Sequence, residues 1–179
     1  MSEPTPMLRR GGIGPVNDKI DVDAVDDARK TSVQFVADLL HIGRNAHRRP
    51  ICQTVVDAQA WISSDNYALA CQQVETEHWP AGERIVRMEI SKLVGAFPNA
   101  PNADLRPFGA LLVEDVISKN PSRYAIAAAC RKLRQTRKFL PAISEVLEAI
   151  EDAERTINYA RKSLEELPAR IRDASAELG

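Results

Sequence analysis

Residues 141–179 of the chain read PAISEVLEAIEDAERTINYARKSLEELPARIRDASAELG, and they carry the strongest structural pattern in the sequence. Apolar residues recur in it alternately three and four positions apart, and we call this row the seam: Ile143, Val146, Ile150, Ala153, Ile157, Ala160, Leu164, Leu167, Ile171, Ala174 and Leu178. Such spacing is typical of a long helix with a narrow apolar stripe that faces another helix. We therefore predict one long, coiled-coil-like helix over 141–179. It should be kinked or ended near Pro168, because a proline ring clashes with the carbonyl four residues earlier, here that of Leu164.

Two partners could cover the seam. One is the chain's own first helix, Asp21–Leu40, folded back in an antiparallel packing. The other is the same helix of a second copy, in a coiled-coil dimer. The part of the seam formed by Ile157, Ala160, Leu164 and Leu167 extends beyond what a bundle of this size should cover. An uncovered apolar row is normally paired, so we expect a homodimer through these four residues.

The rest of the chain predicts an all-α bundle. There is no glycine between Gly109 and Gly179, and prolines mark the turns between stretches with helical periodicity. Residues 1–19 are rich in glycine and proline and are predicted to form a flexible tail, followed by a helical bundle over 20–140. The helices expected before the seam helix are Asp21–Arg44, Thr54–Ile62, Asp65–His78, Glu83–Phe97, Asp104–Ser118 and Ser122–Lys138.

Composition excludes several classes of protein. The 179 residues carry a net charge of −1, which argues against a generally basic nucleic-acid binder. No apolar run is long enough to span a membrane, and the first residues lack the apolar core of a signal peptide. Three scattered cysteines make no disulfide framework, so we expect a cytoplasmic protein. No catalytic, cofactor or metal motif stands out, and we predict a protein without enzymatic activity.

Six basic residues and no acidic one lie between positions 123 and 138. On a helical wheel, Arg123, Arg131, Arg134 and Lys138 fall within about 80° of one another. A basic stripe beside an apolar face suits contact with phosphates, so these four are candidate nucleic-acid contacts, with DNA as the candidate partner. The alternative is that the cations pair with acidic residues of the next helix, namely Glu145, Glu148, Glu151 and Glu154.

Residues 84–151 resemble the phage helicase-loader and inhibitor proteins. The resemblance rests on the aromatic-proline pair Phe97-Pro98 after a helix, on Glu114-Asp115 in the next helical segment, and on the run 138–145, KFLPAISE, which opens the last helix. It implies a small all-helical adaptor that binds a hexameric replicative helicase in a bacterial or phage-infected cell. The corner Phe139, Leu140 and Pro141 is then a candidate partner contact.

The same corner also has a structural interpretation. A large apolar residue at a helix-to-helix turn normally plugs the core, so we expect Phe139 to be buried between the two helices that it joins. The sequence thus leaves two functional hypotheses: a replication adaptor that contacts a helicase and DNA, or a structural coiled-coil protein whose partner is a second copy of itself.

Overall fold

A computed structural model of the chain describes residues 19–40, 51–97 and 105–178. These ranges contain the following helices: α1 (Val22–Leu40), α2 (Ile51–Ile62), α3 (Asp65–His78), α4 (Glu83–Gly95), α5 (Leu105–Lys119), α6 (Arg123–Thr136) and α7 (Ile143–Leu178). The predicted all-α bundle with a long last helix is confirmed. The predicted flexible tail, residues 1–19, lies outside the described residues except for Lys19.

Short polar side chains cap the starts of α6 and α1. The Ser122 hydroxyl accepts a hydrogen bond from the backbone N–H of Ala125 at 3.1 Å and so caps α6. A carboxylate oxygen of Asp21 accepts one from the N–H of Ala24 at 3.0 Å at the start of α1. Just before Ser122, Asn120 adopts a positive φ of 47°, a conformation that asparagine tolerates well, and this residue turns the chain from α5 towards α6.

The long helix α7 is the axis on which the bundle is built. It packs most extensively against α1 and α6. It runs antiparallel to α6, since the N–H of Ser122, at the start of α6, binds the carboxylate of Glu154, whereas Arg137, at the end of α6, pairs with Glu145. It runs parallel to α1, because the start of α1 lies beside residues 149–156 and its end packs against residues 167–174. Of the two partners considered for the seam, the chain's own first helix does pack on it, but the antiparallel direction is wrong. Five helices separate α1 from α7, so no short loop sets their relative direction.

Two apolar cores lie along α7. The larger contains residues of α1 and of α3 to α7, including Leu93, Leu112, Ile126 and Ile150. The smaller is formed by residues near the ends of α1 and α7 together with α2: Val36, Leu39, Val55, Ala58, Leu167, Ile171 and Ala174. Trp61 packs against both cores, with ring centroids 5.6 Å from Phe35 and 5.2 Å from Tyr67. The seam helix is therefore part of the bundle's own core.

The seam is covered within one chain. Ile157, Ala160, Leu164 and Leu167 are all buried, the first three in the larger core and Leu167 in the smaller one. The expectation that they extend beyond the bundle is wrong, because α1, α2 and α3 all pack on α7. A second copy could reach these four side chains only if α7 first separated from its own chain.

Pro168 lies inside α7 and does not end it. A proline has no N–H to donate to the carbonyl four residues earlier, which is that of Leu164. The Tyr67 hydroxyl on α3 donates a hydrogen bond to this carbonyl oxygen at 3.0 Å. A side chain from a neighbouring helix thus replaces the backbone partner that the proline removes.

We expect Tyr67→Phe to destabilise the protein by about 0.5–1.5 kcal/mol, since the Leu164 carbonyl then has neither a backbone N–H nor the phenol as a donor. The matched control is Tyr159→Phe, which removes the hydroxyl of an exposed tyrosine on α7. Urea unfolding of both variants and the wild type checks this. Equal stability of the three proteins would mean that the Tyr67 hydroxyl does not support the helix at Pro168.

Candidate functional site

The corner between α6 and α7 displays an aromatic side chain to solvent. Phe139 is 77% exposed, whereas Leu140 is half-buried against the larger core and Pro141 is buried. The prediction that Phe139 is buried is therefore wrong. The connection leaves α6 through Arg137 in an extended conformation and then bends at Lys138 and Phe139. Leu140 and Pro141 fill the position that was expected for the aromatic ring.

Polar contacts hold this corner in place. Glu145, in the first turn of α7, binds both ends of the connection. One carboxylate oxygen pairs with Arg137 at 2.9 Å, and the other accepts a hydrogen bond from the N–H of Ala142 at 2.9 Å. Lys138, next to Phe139, is exposed and has no ion pair among the described residues. The corner thus presents a cation and an aromatic ring on a braced turn.

The four candidate nucleic-acid contacts do not form one exposed surface. Arg123 is 5% exposed, and its guanidinium pairs with Glu77 at 3.2 Å. Arg131 pairs with Asp23 of α1 at 2.8 Å, and Arg134 with buried Glu89 of α4 at 3.9 Å. Lys138 is exposed and lies at the corner, and the Arg131 side chain is 42% exposed. The helical wheel assumed that the helix reaches Lys138, whereas α6 ends at Thr136, and Arg123, Arg131 and Arg134 pair with three different helices.

The expected pairing with the next helix occurs only in part. Glu145 pairs with Arg137, and Asp152 pairs with Lys132 at 3.7 Å. Glu151 pairs with Lys119 of α5, and Glu154 binds the backbone of Ser122. Acidic residues of α1, α3 and α4 pair with Arg131, Arg123 and Arg134, respectively. A comparison of α6 with only the next helix along the chain does not reveal these pairs.

Glu77 is a buried junction between three parts of the bundle. One of its carboxylate oxygens accepts a hydrogen bond from the backbone N–H of Asp21 at 3.4 Å, and the other accepts one from Nε of Arg123. The side chain therefore ties α3 to α6 and to the residue before α1. The sequence gives no sign of this role, because glutamate on a helix is ordinarily exposed.

No group of three or more His, Cys, Asp or Glu side chains in the described ranges is placed to hold a metal ion. Burial, together with the nearby Glu89 carboxylate, raises the pKa of the Cys130 thiol to about 12. Cys130 is therefore a protonated core residue at neutral pH rather than a nucleophile. Burial and a hydrogen bond to Asp26 likewise raise the pKa of the Tyr124 phenol.

A groove runs between α1, α6 and α7. Two adjoining cavities of about 330 and 580 Å³ form it, and Lys132, Asp152 and Thr156 line both. The side chains that line the larger cavity are Arg29, Lys132, Asp152, Arg155, Thr156 and Tyr159. Sequence reasoning missed this surface because its cations come from three helices, each of which carries acidic residues nearby. The one available signal was Tyr159, an aromatic residue next to Asn158 and outside the seam.

Comparison with known proteins gives no relative: no family model matches the chain, and neither a curated protein nor a solved structure is similar to it. None of the described helices is long and apolar enough to cross a membrane. The class of this protein is thus an all-α bundle with an exposed aromatic corner and a charged interhelical groove.

Proposed function

We propose that this protein is a non-enzymatic adaptor of DNA replication that contacts a hexameric replicative helicase at the corner between α6 and α7. Lys138, Phe139 and the half-buried Leu140 make the contact, and buried Pro141 holds the turn. The observation that carries the proposal is the 77% exposure of Phe139 on a turn braced by Glu145. The same residues carry the resemblance to phage helicase-loader and inhibitor proteins. Two separate lines of reasoning thus point to one surface.

An exposed phenylalanine suits a protein partner. Burying a Phe side chain in an apolar pocket contributes about 1.5–3 kcal/mol, and this gain is lost while the ring faces water. Binding energy at protein interfaces is concentrated in a few such residues. Because the turn is held by Arg137, Glu145 and the buried Pro141, little conformational entropy is lost when a partner encloses the ring.

The alternative hypothesis, a structural protein that pairs with itself through the seam, has less support. The side chains that such a coiled coil needs are enclosed by α1, α2 and α3 of the same chain. A coiled-coil dimer would therefore require the bundle to open. The exposed corner has no comparable obstacle.

We expect Phe139→Ala to weaken binding to the purified helicase hexamer of the same organism by roughly tenfold to a hundredfold, as the loss of a single aromatic anchor does. Its effect on the free energy of unfolding should stay within about 0.5 kcal/mol, since the side chain is exposed. Isothermal titration calorimetry measures the binding, and thermal unfolding measures the stability.

The matched control is Leu69→Ala, which removes a 51% exposed apolar side chain on α3. This variant should bind like the wild type. The proposal fails if the wild-type protein does not bind the hexamer, or if both variants bind as tightly as the wild type.

A further inference from the structure

The half of the groove around Tyr159 combines cations from three helices with an exposed aromatic ring. Arg29 comes from α1, Lys132 from α6 and Arg155 from α7, and the Tyr159 side chain of α7 is 52% exposed beside them. We propose that this half of the groove binds a nucleotide unit, with the phosphate among the three cations and the base stacked on Tyr159.

The charge balance favours an anion in this half of the groove. Asp152 is the one carboxylate among the residues that line it, against three cations, and Arg29 also pairs with Asp26 of the adjoining cavity at 3.9 Å, so one positive charge remains in excess. Asp152 pairs with both Lys132 and Arg155, so a single negative charge is shared between two positive ones. The other carboxylates, Asp23 and Asp26, line the adjoining cavity, where they contact Arg131 and the Tyr124 hydroxyl at 2.8 Å.

Arg29 has an unused hydrogen-bond donor. Its Nε is shielded from solvent and has no hydrogen-bond acceptor among the described residues. The nearby carboxylate oxygen of Asp26 lies 3.9 Å away, which is beyond hydrogen-bond distance. Buried donors are nearly always satisfied in folded proteins, and a phosphate oxygen would satisfy this one once the partly exposed Arg29 side chain turned it towards the groove.

The cations can exchange partners at little cost. Arg155 is 72% exposed and Lys132 is 61% exposed, and ion pairs at that exposure contribute little to stability. A phosphate offers more charge and more acceptor oxygens than a single carboxylate. Tyr159 adds a flat ring on which any base can stack, because every base has a π-face.

The inference does not depend on the helicase contact. Phe139 does not line the groove, and none of the groove residues belongs to the corner. Either proposal can therefore fail while the other holds. A phosphate next to a base occurs both in a free nucleotide and in single-stranded DNA. The experiment distinguishes these two ligands.

The first measurement is fluorescence anisotropy with a labelled single-stranded DNA of about 12 nucleotides at low salt. We expect wild-type binding to weaken by about tenfold in Arg155→Gln, through loss of a charged phosphate contact, and by a similar factor in Tyr159→Leu, through loss of stacking. Arg155→Gln should also reduce the dependence of affinity on salt concentration.

The matched control is Arg172→Gln, which removes the same charge from α7 outside the groove and should leave binding unchanged. The second measurement is direct calorimetric titration with adenosine monophosphate. If the source is DNA, the oligonucleotide binds and the mononucleotide does not. If it is a free nucleotide, the mononucleotide binds and Arg155→Gln weakens that binding.

Two results would overturn the inference. One is that neither probe binds the wild-type protein. The other is that a probe binds but Arg155→Gln and Tyr159→Leu bind it as tightly as Arg172→Gln does. Thermal unfolding of each variant checks that it folds. Folding is expected because the Arg155 side chain is 72% exposed and Tyr159 is 52% exposed.

Discussion

Replacing Arg123 by methionine should destabilise the protein by about 3–5 kcal/mol, because it leaves the buried carboxylate of Glu77 without its cation. Glu77 is itself buried and holds the backbone of Asp21 as well, so the loss should loosen the start of α1 along with the α3–α6 contact. Denaturant unfolding monitored by circular dichroism gives the free energy. A midpoint equal to that of the wild type would contradict the buried ion pair.

The double variant Arg123→Met with Glu77→Gln is the control for this result. Its neutral amide still offers an oxygen to the N–H of Asp21 and leaves no unpaired charge in the interior. We therefore expect it to regain much of the stability lost in Arg123→Met. If the double variant is instead destabilised by the sum of both single effects, the two residues are not energetically coupled.

Leu167→Ala should destabilise the protein by about 2–5 kcal/mol while its molar mass in solution stays that of the wild type. Leu167 is fully buried in the smaller core, where α1 and α2 of the same chain enclose it. The matched control is Leu111→Ala on α5, at an exposed position, which should change stability by no more than about 0.5 kcal/mol.

Sedimentation equilibrium distinguishes the two ways of covering the seam. Coverage within one chain means that Leu167→Ala and the wild type have the same mass at every concentration. A wild-type dimer that Leu167→Ala converts to a monomer would contradict this coverage and restore the homodimer expected from the sequence.

Local features of the fold could be predicted from the sequence. The seam spacing gave the long helix, and Ser122 marked the start of α6, because periodicity and capping depend on residues within one or two turns. The sequence predicts a long helix over 141–179 that is kinked or ended near Pro168, and α7 does continue past Pro168. The local sequence does not reveal the donor to the Leu164 carbonyl, because the Tyr67 hydroxyl lies 97 positions away in sequence.

The candidate site was predicted less well, for two physical reasons. The direction of Phe139 depends on the backbone conformation of a few turn residues, and residue type does not fix it. The fate of the basic stripe depends on carboxylates of α1, α3 and α4, whose positions relative to α6 follow only from the packed bundle. The sequence therefore identified the corner and the cations but not which of them reach solvent.

In the proposed complex, a helicase subunit encloses the Phe139 ring. The most direct test places a photoreactive benzoylphenylalanine at position 139 in one sample and at position 69 in another, and irradiates each with the purified helicase hexamer. We predict a covalent product with the helicase subunit from position 139 and none from position 69. Both samples use the concentrations at which the wild-type protein is mixed with the hexamer. Cross-linking from position 69 alone, or from neither position, would contradict this contact.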